Sequence, residues 1–487
     1  MKLLFAASEA YPLIKTGGLA DVAHSLPNAL QSVGSDVRVI LPAYRDLLRK
    51  VSCIKILGWL SPLPHHEVRI LEVEHPAFDM PIWLVDDAGF FDREGNPYIH
   101  PAGDSWLDNP DRFAMFSRCV ALMAMDRLDL GWRADVVHSN DWQTGLVSGF
   151  LSEENNPPLR IFTIHNIAYD SQFDYASFSQ LHLPAYWWSV DYGEFYERFS
   201  MLKAGLMFAD KVTTVSPTYA KEICTSEYGY GYAGILQQHT DKLSGILNGI
   251  DDEAWNPEKD TYLAAHYSAD KSLRKGKHKN RAALLKALGV KDDPDAPLFG
   301  FVGRLAYQKG ADILLSAIPA LIEKSNARFV LIGSGEAELE SRIRTLAEQF
   351  PHKVAYYIGY SEEMAHRLEA GCDFFVMPSR YEPCGLNQMY SMRYGTPPIV
   401  RNTGGLADTV IDYNEANLKT GTATGFVFEH ARSDELLHAM ERALQAFEKP
   451  KVWDKLARNG MQRDMSWQAS AKDYLSLYGF EEPSSDV

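Results

Sequence analysis

Short apolar runs alternate with segments of helical periodicity along the first half of the chain. The run Leu3–Ala7 has the composition of a buried strand, and apolar residues at helical spacing follow it, namely Leu19, Val22, Leu26 and Leu30. Other runs rich in β-branched residues are predicted as strands: Asp36–Leu41, Asp135–His138, Arg160–His165 and Lys211–Val215. Because helical segments lie between most of these runs, the pattern predicts a mainly parallel, doubly wound α/β sheet.

The same alternation returns in the second half. Apolar runs predict strands at Pro297–Gly303, from Arg328 to a glycine turn at Gly335, and at Cys372–Met377. Between the halves, the polar stretch from Glu258 to about Lys279 lacks apolar periodicity and is predicted to be a linker. With 487 residues, the chain exceeds what one hydrophobic core usually serves, so two domains are expected.

Composition and charge narrow the class of protein. Hydrophobic residues make up 46% and charged residues 23% of the chain, as in an average globular protein. No apolar stretch approaches the roughly 20 residues that cross a bilayer, and Glu9 interrupts the apolar amino terminus, so a cytoplasmic protein is expected. The net charge of −16 argues against binding to nucleic acid or anionic membranes. Five dispersed cysteines without C-x-x-C pairs predict neither a disulfide framework nor a zinc site.

A glycine turn follows the first predicted strand. In Lys15–Asp21 (KTGGLAD), Gly17 and Gly18 stand at the start of a predicted helix. Glycines let a backbone approach a ligand, and the N–H groups of a first helical turn point at it, so the turn is a candidate anion site with Lys15 as a nearby charge. An ordinary βα turn is the alternative. The motif returns as Thr403–Asp408 (TGGLAD), which suggests two similar α/β halves, whether by duplication or by convergence.

Polar residues follow two neighbouring strands of the first half. Asp141 comes just after the run 135–138, and His165 ends the run that follows. Alone, Asp141 suits a helix cap and His165 a hydrogen-bonded loop histidine. Because ligands of α/β sheets gather at the carboxyl ends of the strands, the two together are predicted to line a cleft beside the first glycine turn.

The second half of the chain also carries charged residues after predicted strands. Arg304 and Lys309 share a loop between a predicted strand and a helix, where a guanidinium and an ammonium suit a diphosphate, although both could be exposed surface charges. Glu382 precedes a glycine and a new helix, so it either binds sugar hydroxyls and developing positive charge or simply begins the helix. The N–H groups near 384–386 suit a phosphate.

Two stretches rich in aromatic residues each allow two interpretations. Residues 85–115 predict a long functional loop or an insertion. The cluster around Tyr186, Trp187 and Trp188 either presents flat faces to sugar rings or belongs to the core. The chain has no Walker A sequence and no complete dinucleotide fingerprint, which argues against an ATPase or a dehydrogenase.

The motifs described above follow one another along the chain in a definite order and at definite spacings. They are K-T-G-G-L-A-D at Lys15–Asp21, D-W at Asp141, T-I-H-N at Thr163–Asn166, Arg304 with Lys309, E-P-C-G-L at Glu382–Leu386 and T-G-G-L at Thr403–Leu406. In this combination the chain resembles the bacterial glycogen synthases, and more distantly the plant starch synthases, along essentially its whole length.

The resemblance implies a B-type glycosyltransferase fold, an α/β architecture of two facing Rossmann-like domains with an interdomain active-site cleft. The expected domains are residues 1–250 on the acceptor side and 251–465 on the donor side, with 466–487 forming a helix that crosses back to the first domain. The implied reaction transfers glucose from ADP-glucose to the non-reducing 4-hydroxyl of an α-1,4-glucan such as glycogen, with retention and with neither cofactor nor essential metal. The alternatives are a UDP-glucose-dependent or disaccharide-forming transferase, and a non-catalytic glucan-binding protein.

The resemblance also assigns roles to individual residues. In the first half, Lys15 and the turn at Gly17 and Gly18 would contact the donor, while Asp141 and His165 would bind glucose hydroxyls. The second half would supply the groups around the nucleotide: Arg304 and Lys309 against the leaving diphosphate, Glu382 to orient the glucose, backbone groups of Cys384, Gly385, Leu386 and Thr403 for phosphate, and Tyr360 to stack on adenine.

Two positions depart from the pattern of related transferases. Many retaining transferases carry a second glutamate where this chain has Tyr390, and the family often shows lysine in place of Arg281. A retaining enzyme normally uses a nucleophilic carboxylate, and the resemblance makes Asp141, the one candidate, a hydroxyl binder. We therefore favour a front-face substitution in which the departing phosphate helps to deprotonate the acceptor.

Overall fold

A computed structural model describes residues 1–480 of the chain, apart from the side chain of Cys53, and shows two compact units. Unit 1 comprises Met1–Gly249 together with the segment that begins at Trp467, and unit 2 comprises Ile250–Ser466. Each unit is an α/β domain built on a sheet of its own, mainly parallel in unit 1 and wholly parallel in unit 2. Within residues 1–480, no helix combines the length and the apolar character needed to cross a membrane.

Helices separate many of the strands of unit 1. They are β1 (Lys2–Ala6), β2 (Asp36–Pro42), β3 (Ser52–Leu63), β4 (His66–Glu74), β5 (Ile82–Asp86), β6 (Val136–Asn140), β7 (Leu159–Ile164), β8 (Gln172–Phe173), β9 (Glu194–Phe195), β10 (Arg198–Ser200), β11 (Lys211–Thr214) and β12 (Leu243–Gly245). The helices before residue 250 are α1 (Gly18–Ser32), α2 (Arg45–Leu48), α3 (Ala88–Phe91), α4 (Asn109–Ala124), α5 (Val147–Ser152), α6 (Tyr175–Gln180), α7 (Met201–Phe208), α8 (Pro217–Glu222) and α9 (Ala233–Gln238).

The main sheet of unit 1 has the strand order β12-β11-β7-β6-β1-β2-β5-β4-β3. From β12 to β5 the neighbours pair in parallel, and β4 and β3 add an antiparallel hairpin at one edge. The chain order reverses at β1, which lies between β6 and β2. The carboxyl ends of β1 and β6 therefore form the switch point at which open α/β sheets bind ligands.

Unit 2 is a regular alternation of strands and helices. Its strands are β13 (Leu298–Val302), β14 (Arg328–Gly333), β15 (Val354–Ile358), β16 (Phe374–Met377), β17 (Pro398–Arg401) and β18 (Phe426–Phe428). Its helices are α10 (Leu273–Ala287), α11 (Ala311–Lys324), α12 (Ala337–Gln349), α13 (Glu362–Gly371), α14 (Asn387–Arg393), α15 (Gly404–Thr409), α16 (Glu415–Thr420), α17 (Ser433–Phe447) and α18 (Pro450–Met461).

The sheet of unit 2 is wholly parallel, with the order β15-β14-β13-β16-β17-β18. Numbered from β13, this is 3-2-1-4-5-6, the order of dinucleotide-binding sheets. Its switch point lies between β13 and β16, the strands that precede Arg304 and Glu382. The predicted α/β fold with two Rossmann-like domains is confirmed, whereas a cleft between them stays a prediction.

The last helix, α19 (Trp467–Leu477), belongs to unit 1 and packs against α1. Just beyond it, the hydroxyl of Tyr478 is hydrogen-bonded to His138 Nδ1 at 2.7 Å. His138 is fully buried on β6, the strand that leads to Asp141. The carboxyl-terminal segment thus supports a strand of the candidate site.

The predicted linker is wrong over its second part, because α10 begins at Leu273. Polar residues make up much of the buried face of α10. The helix therefore lacks the apolar periodicity from which a helix is predicted. Lys277 donates to three backbone carbonyls and to Thr396 Oγ1, and the Arg281 guanidinium pairs with carboxylates on either side. Arg281 is therefore a buried structural residue.

The two aromatic stretches have mixed environments. Trp187 and Phe195 are buried, whereas Tyr186 and Tyr196 are exposed, so part of the cluster is core and part lies on the surface. Residues 85–115 contain α3 and the start of α4 around a segment without regular structure.

Candidate active site

The first glycine turn is held by a buried carboxylate at the end of β1. Gly17 is the extended N-cap of α1, and Glu9 accepts hydrogen bonds from the backbone N–H groups of Thr16, at 2.5 Å, and of Gly17. A side chain at Gly18 would meet nothing within 4 Å, so the turn leaves open space in front of the helix. The ammonium of Lys15 lies 2.7 Å from Asp21 Oδ1, on the first turn of α1. The N–H groups of Thr16 and Gly17 are thus engaged by Glu9, and the role of the loop as an anion site stays a prediction.

Asp141 ties together the ends of β6 and β7. Its backbone has a φ of 56°, and its side chain makes no capping hydrogen bond to the turn that follows. Instead the carboxylate accepts from the backbone N–H groups of His165, at 2.7 Å, and Asn166. His165 Nε2 is in turn hydrogen-bonded to Asn140 Oδ1 at 2.8 Å. Asp141 and His165 therefore lie together at the carboxyl ends of β6 and β7, and the Asp141 side chain does not cap the turn that it precedes.

Burial shifts the titration of this group of residues towards neutral side chains. Burial raises the pKa of Asp141 to about 7, and the charge of Glu9 adds to this effect against the hydrogen bonds from the backbone. Burial also raises the pKa of Glu9 to about 7. The pKa of His165 falls to about 3 for the same reason, so its imidazole is neutral at pH 7. A neutral imidazole beside a carboxyl group suits hydrogen bonding to hydroxyl groups.

In unit 2, Lys309 and Glu382 are in direct contact at the switch point. Lys309 Nζ lies 2.6 Å from Glu382 Oε2, and the Ser379 hydroxyl donates to the same oxygen at 3.0 Å. Glu382 is 5% exposed, so its charge is compensated by these two donors. The loop after β13 and the loop after β16 are thus joined by one ion pair.

Arg304 lies on the same loop as Lys309 and is exposed. Its Nη2 donates to Gln308 Oε1 at 3.2 Å, and Gln308 Nε2 donates to the carbonyl of Tyr381 at 3.3 Å. A neighbouring guanidinium, that of Arg380, forms two hydrogen bonds with Asp312 at 2.7 and 2.8 Å. These bonds fix the position of the loop and leave the Arg304 chain at its surface.

The loop before α14 is shaped by a glycine and a buried amide. Gly385 has a φ of 72°, and Gln388 Nε2 donates to the carbonyls of Cys384 and Gly385 at 3.1 and 2.9 Å. Because the C=O and the following N–H of a trans peptide point in opposite directions, the N–H groups of Gly385 and Leu386 point away from Gln388. A role of these N–H groups in phosphate binding stays a prediction.

The second glycine pair serves close packing, which distinguishes it from the first. An added Cβ at Gly404 would lie 2.0 Å from the carbonyl oxygen of Glu382, and one at Gly405 would lie 2.1 Å from that of Cys384. Thr403, the buried N-cap of α15, precedes this contact. The repeated sequence T-G-G-L-A-D thus supports the E-P-C-G-L loop here, whereas at Gly18 it borders open space.

Gly404→Ala is expected to destabilise the protein by about 2–4 kcal/mol, because the methyl group meets a backbone carbonyl and the φ of 44° disfavours alanine. The measurement is the thermal unfolding midpoint of the purified variant. Gly234→Ala is the matched control, as an added Cβ there has no neighbour within 4 Å. Equal midpoints for the two variants would show that the packing argument is wrong.

Two tyrosines of unit 2 lie in different environments. Tyr360 follows β15 and is 76% exposed, as an aromatic platform for a ligand would be. Tyr390, at the position of the second glutamate of related transferases, stacks on Trp255 with ring centroids 3.7 Å apart. Trp255 stacks on His366 at the same distance, so this position is structural in the chain. Within residues 1–480, no cluster of three or more metal-ligating side chains is found.

Both domains match models of known protein families. The family model of the starch synthase catalytic domain matches residues 2–238, and that of glycosyl transferases group 1 matches residues 289–460. The glycogen synthase of Hydrogenovibrio crunogenus is 50% identical, over 98% of this chain and 99% of that protein. Glycogen synthase 1 of Methylococcus capsulatus is 47% identical, over 98% and 96% of the two chains. The chain belongs to the glycogen synthase family.

A solved structure extends the comparison to plant members of the glycogen and starch synthases. The catalytic domain of starch synthase IV from Arabidopsis thaliana, bound to ADP and acarbose, matches with a TM-score of 0.86 and 32% identity over 98% of each chain. The sequence-based resemblance to the glycogen synthases is therefore confirmed, and the protein is a glycosyltransferase. The roles of individual residues stay predictions.

Several side chains of this glycogen synthase site are not predicted from the sequence. Glu9, which in the sequence only interrupts an apolar run, holds the glycine turn, and no sequence pattern distinguishes Asn140, Ser379 and Gln388 as site residues. One signal was available for Glu9, since a carboxylate seldom follows a buried strand without a partner. The other three are uncharged residues whose hydrogen bonds only the fold reveals.

Proposed function

We propose that this glycosyltransferase transfers glucose from ADP-glucose to the non-reducing 4-hydroxyl of an α-1,4-glucan, with retention of configuration. The observation that supports this most is the 2.6 Å contact between Lys309 and Glu382 at the switch point of a dinucleotide-type sheet. The proposal takes Lys309 as the cation for the diphosphate and Glu382 as the carboxylate for the sugar. The glycogen synthase relatives and the ADP in the starch synthase IV structure point to the same donor and acceptor.

In unit 2, the proposed task is to stabilise the departing ADP. Negative charge grows on the diphosphate as the glycosidic bond breaks, so fixed positive groups favour the transition state over the ground state. Lys309, held in place by Glu382, and Arg304 supply these charges, and the N–H groups of Gly385 and Leu386 add uncharged donors. Glu382 then accepts hydrogen bonds from glucose hydroxyls. Tyr360 stacks on the adenine.

In unit 1, the proposed task is to position the glucose. Asp141 and the neutral His165 bind its hydroxyls, and Lys15 with the turn at Gly17 and Gly18 binds the donor near its phosphate. The backbone hydrogen bonds to Asp141 hold its carboxylate in one orientation, which suits a hydroxyl acceptor. We propose a front-face substitution in which the leaving phosphate deprotonates the acceptor hydroxyl. A trapped covalent glucosyl adduct of Asp141 would contradict it.

The choice of donor is tested by comparing turnover. Purified protein is supplied with labelled ADP-glucose or UDP-glucose, each with and without glycogen, and the label in polymer is counted. The proposal expects efficient incorporation from ADP-glucose in the presence of glycogen. Faster transfer from UDP-glucose, or a labelled disaccharide, would favour a different transferase. Glycogen binding without incorporation would favour a non-catalytic binding protein. The cytoplasmic location, and the absence of nucleic acid and membrane partners, stay predictions.

Glu9→Gln is expected to move the acid limb of the kcat/KM profile to lower pH. The profile should fall below about pH 7 in the wild type, because the hydroxyl-binding form of Asp141 is the carboxylate and burial raises its pKa to about 7. The Glu9 charge contributes to that rise, so an uncharged glutamine should shift the limb down by about half a pH unit. Glutamine keeps an oxygen for the N–H of Thr16. An unchanged or raised limb would show that the two carboxyls are not coupled.

A further inference from the structure

A buried arginine connects the carboxyl ends of three adjacent strands in unit 2. Arg401 is the last residue of β17, which lies between β16 and β18, and it is 7% exposed. Towards β16, its Nε donates to the carbonyl of Ser379 at 2.9 Å and its Nη2 to the carbonyl of Arg380. Towards β18, its Nη1 donates to the carbonyl of Glu429 at 3.2 Å. One guanidinium thus joins the loops that follow both neighbouring strands.

The two consecutive carbonyls that Arg401 holds lie just before Glu382 in the chain. Because a guanidinium presents its N–H groups in a rigid planar fork, its bonds to Ser379 and Arg380 fix the orientation of both peptide planes. The Ser379 hydroxyl donates to Glu382 Oε2 at 3.0 Å. The carbonyl of Glu382 accepts from the N–H of Gly405 at 3.1 Å. The backbone is therefore held both before and at the residue that we assign to the glucose.

A second buried arginine of unit 2 provides a contrast. Arg281 is 2% exposed, and its guanidinium pairs with Asp292 and Asp373 at 2.8 and 2.7 Å. Because Asp373 immediately precedes β16, Arg281 lies at the amino end of this strand, whereas Arg401 lies at its carboxyl end. Ligands of open α/β sheets bind at the carboxyl ends of the strands. Of the two arginines, Arg401 is therefore the one whose hydrogen bonds bear on the candidate site.

We propose that Arg401 is a positioning residue for Glu382. Its guanidinium holds the loop after β16 so that the carboxylate stays in contact with Lys309 and is oriented towards the glucose of the donor. Nε, Nη1 and Nη2 each donate to a backbone carbonyl, so Arg401 acts through the loop and not by contact with the donor. This inference rests on the proposed function, in which Glu382 orients the glucose.

Arg401→Lys tests the proposal, because it keeps the charge and loses the fork. The variant should lower the kcat of glucosyl transfer from ADP-glucose about tenfold or more, since a misplaced Glu382 no longer holds the reacting geometry, with the KM for ADP-glucose within about threefold. The same substitution is then made together with Glu382→Gln. If Arg401 acts through Glu382, it should cost less than about twofold in that background. An equal loss of kcat in both backgrounds would overturn the proposal.

Hydrogen exchange tests the positioning role without relying on activity. Arg401→Lys should speed exchange of the amides at 380–386 about tenfold or more and leave exchange in α11 unchanged. Arg281→Lys is the matched control: it should lower the thermal unfolding midpoint, but leave kcat within about twofold and exchange at 380–386 unchanged.

Unchanged exchange at 380–386 in Arg401→Lys would overturn the proposal. So would loss of the folded state in both Arg401→Lys and Arg401→Gln, because the role of Arg401 would then be general to the fold. If the wild type transferred no glucose from ADP-glucose while Arg401→Lys still sped exchange at 380–386, the proposed function alone would be contradicted.

Discussion

Replacing Lys309 by methionine is expected to lower the kcat/KM of glucosyl transfer from ADP-glucose by about 10²–10³-fold, the range found when one preorganised stabilising group is removed. The variant loses the positive charge next to the leaving diphosphate. It also leaves Glu382, which is 5% exposed, with the Ser379 hydroxyl in place of an ion pair. Because the charge acts most strongly in the transition state, the loss should appear mainly in kcat.

A surface lysine of the same unit provides the matched control. Lys324 pairs with Glu441 at 2.7 Å and its side chain is 61% exposed. Lys324→Met should therefore keep transfer within about twofold of the wild type, since exposed ion pairs contribute little. Thermal unfolding of both variants shows whether the fold is kept. A loss of less than about tenfold in Lys309→Met would remove this residue from the diphosphate site.

Asp141→Asn is expected to abolish most transfer while making the folded protein more stable above neutral pH. The amide lacks the charge that we assign to the binding of glucose hydroxyls, so kcat/KM should fall by about 10³-fold. The stability gain should reach about 1–3 kcal/mol at pH 8, because the native site no longer holds a buried carboxylate. An amide oxygen can still accept from the N–H of His165, so the link between β6 and β7 is kept.

The pH dependence of that gain has a definite sign. Burial raises the pKa of Asp141 from 3.8 to about 7 in the folded protein. Between these two values the unfolded chain has lost the proton and the folded protein retains it, so wild-type stability falls as pH rises through this window. The advantage of Asp141→Asn should therefore be absent near pH 4, grow up to about pH 7 and stay constant above it. Asp79→Asn, at an exposed position, should show no such trend.

Unfolding midpoints of these variants from pH 4 to pH 8.5 give the comparison. A constant difference between Asp141→Asn and the wild type would mean that the carboxyl has no raised pKa. Full activity in Asp141→Asn with the expected stability curve would separate burial from catalysis and remove Asp141 from the proposed glucose site.

The periodic pattern of apolar residues carried most of the information about the fold. Eight strands are predicted within a few residues, because buried parallel strands are short, continuous apolar runs flanked by polar loops; they are β1, β2, β6, β7, β11, β13, β14 and β16. The antiparallel hairpin of β3 and β4 is not predicted. The polar buried face of α10 had no such signature. Its Lys277 and Arg281 are stabilised by carbonyls and carboxylates that are distant in sequence, so their burial follows only from the assembled unit.

The candidate site was predictable to the extent that its residues lie in short motifs at the ends of strands. Asp141 with His165, and Lys309 with Glu382, were singled out by type and position, and the structure places each pair in direct contact. The contact between Glu9 and the glycine turn could not be predicted. It joins residues at the two ends of a loop, and the sequence pattern does not give the conformation of that loop. The two T-G-G-L-A-D segments could not be told apart by sequence, because what distinguishes them is the backbone that packs against Gly404.

A crystal structure with ADP bound tests the central claim most directly. The account predicts diphosphate oxygens within about 2.7–3.2 Å of Lys309 Nζ and of the N–H groups at Gly385 and Leu386, with Arg304 turned towards the phosphate. ADP bound away from the carboxyl ends of β13 and β16, or Lys309 in contact with Glu382 and with no phosphate oxygen, would contradict it.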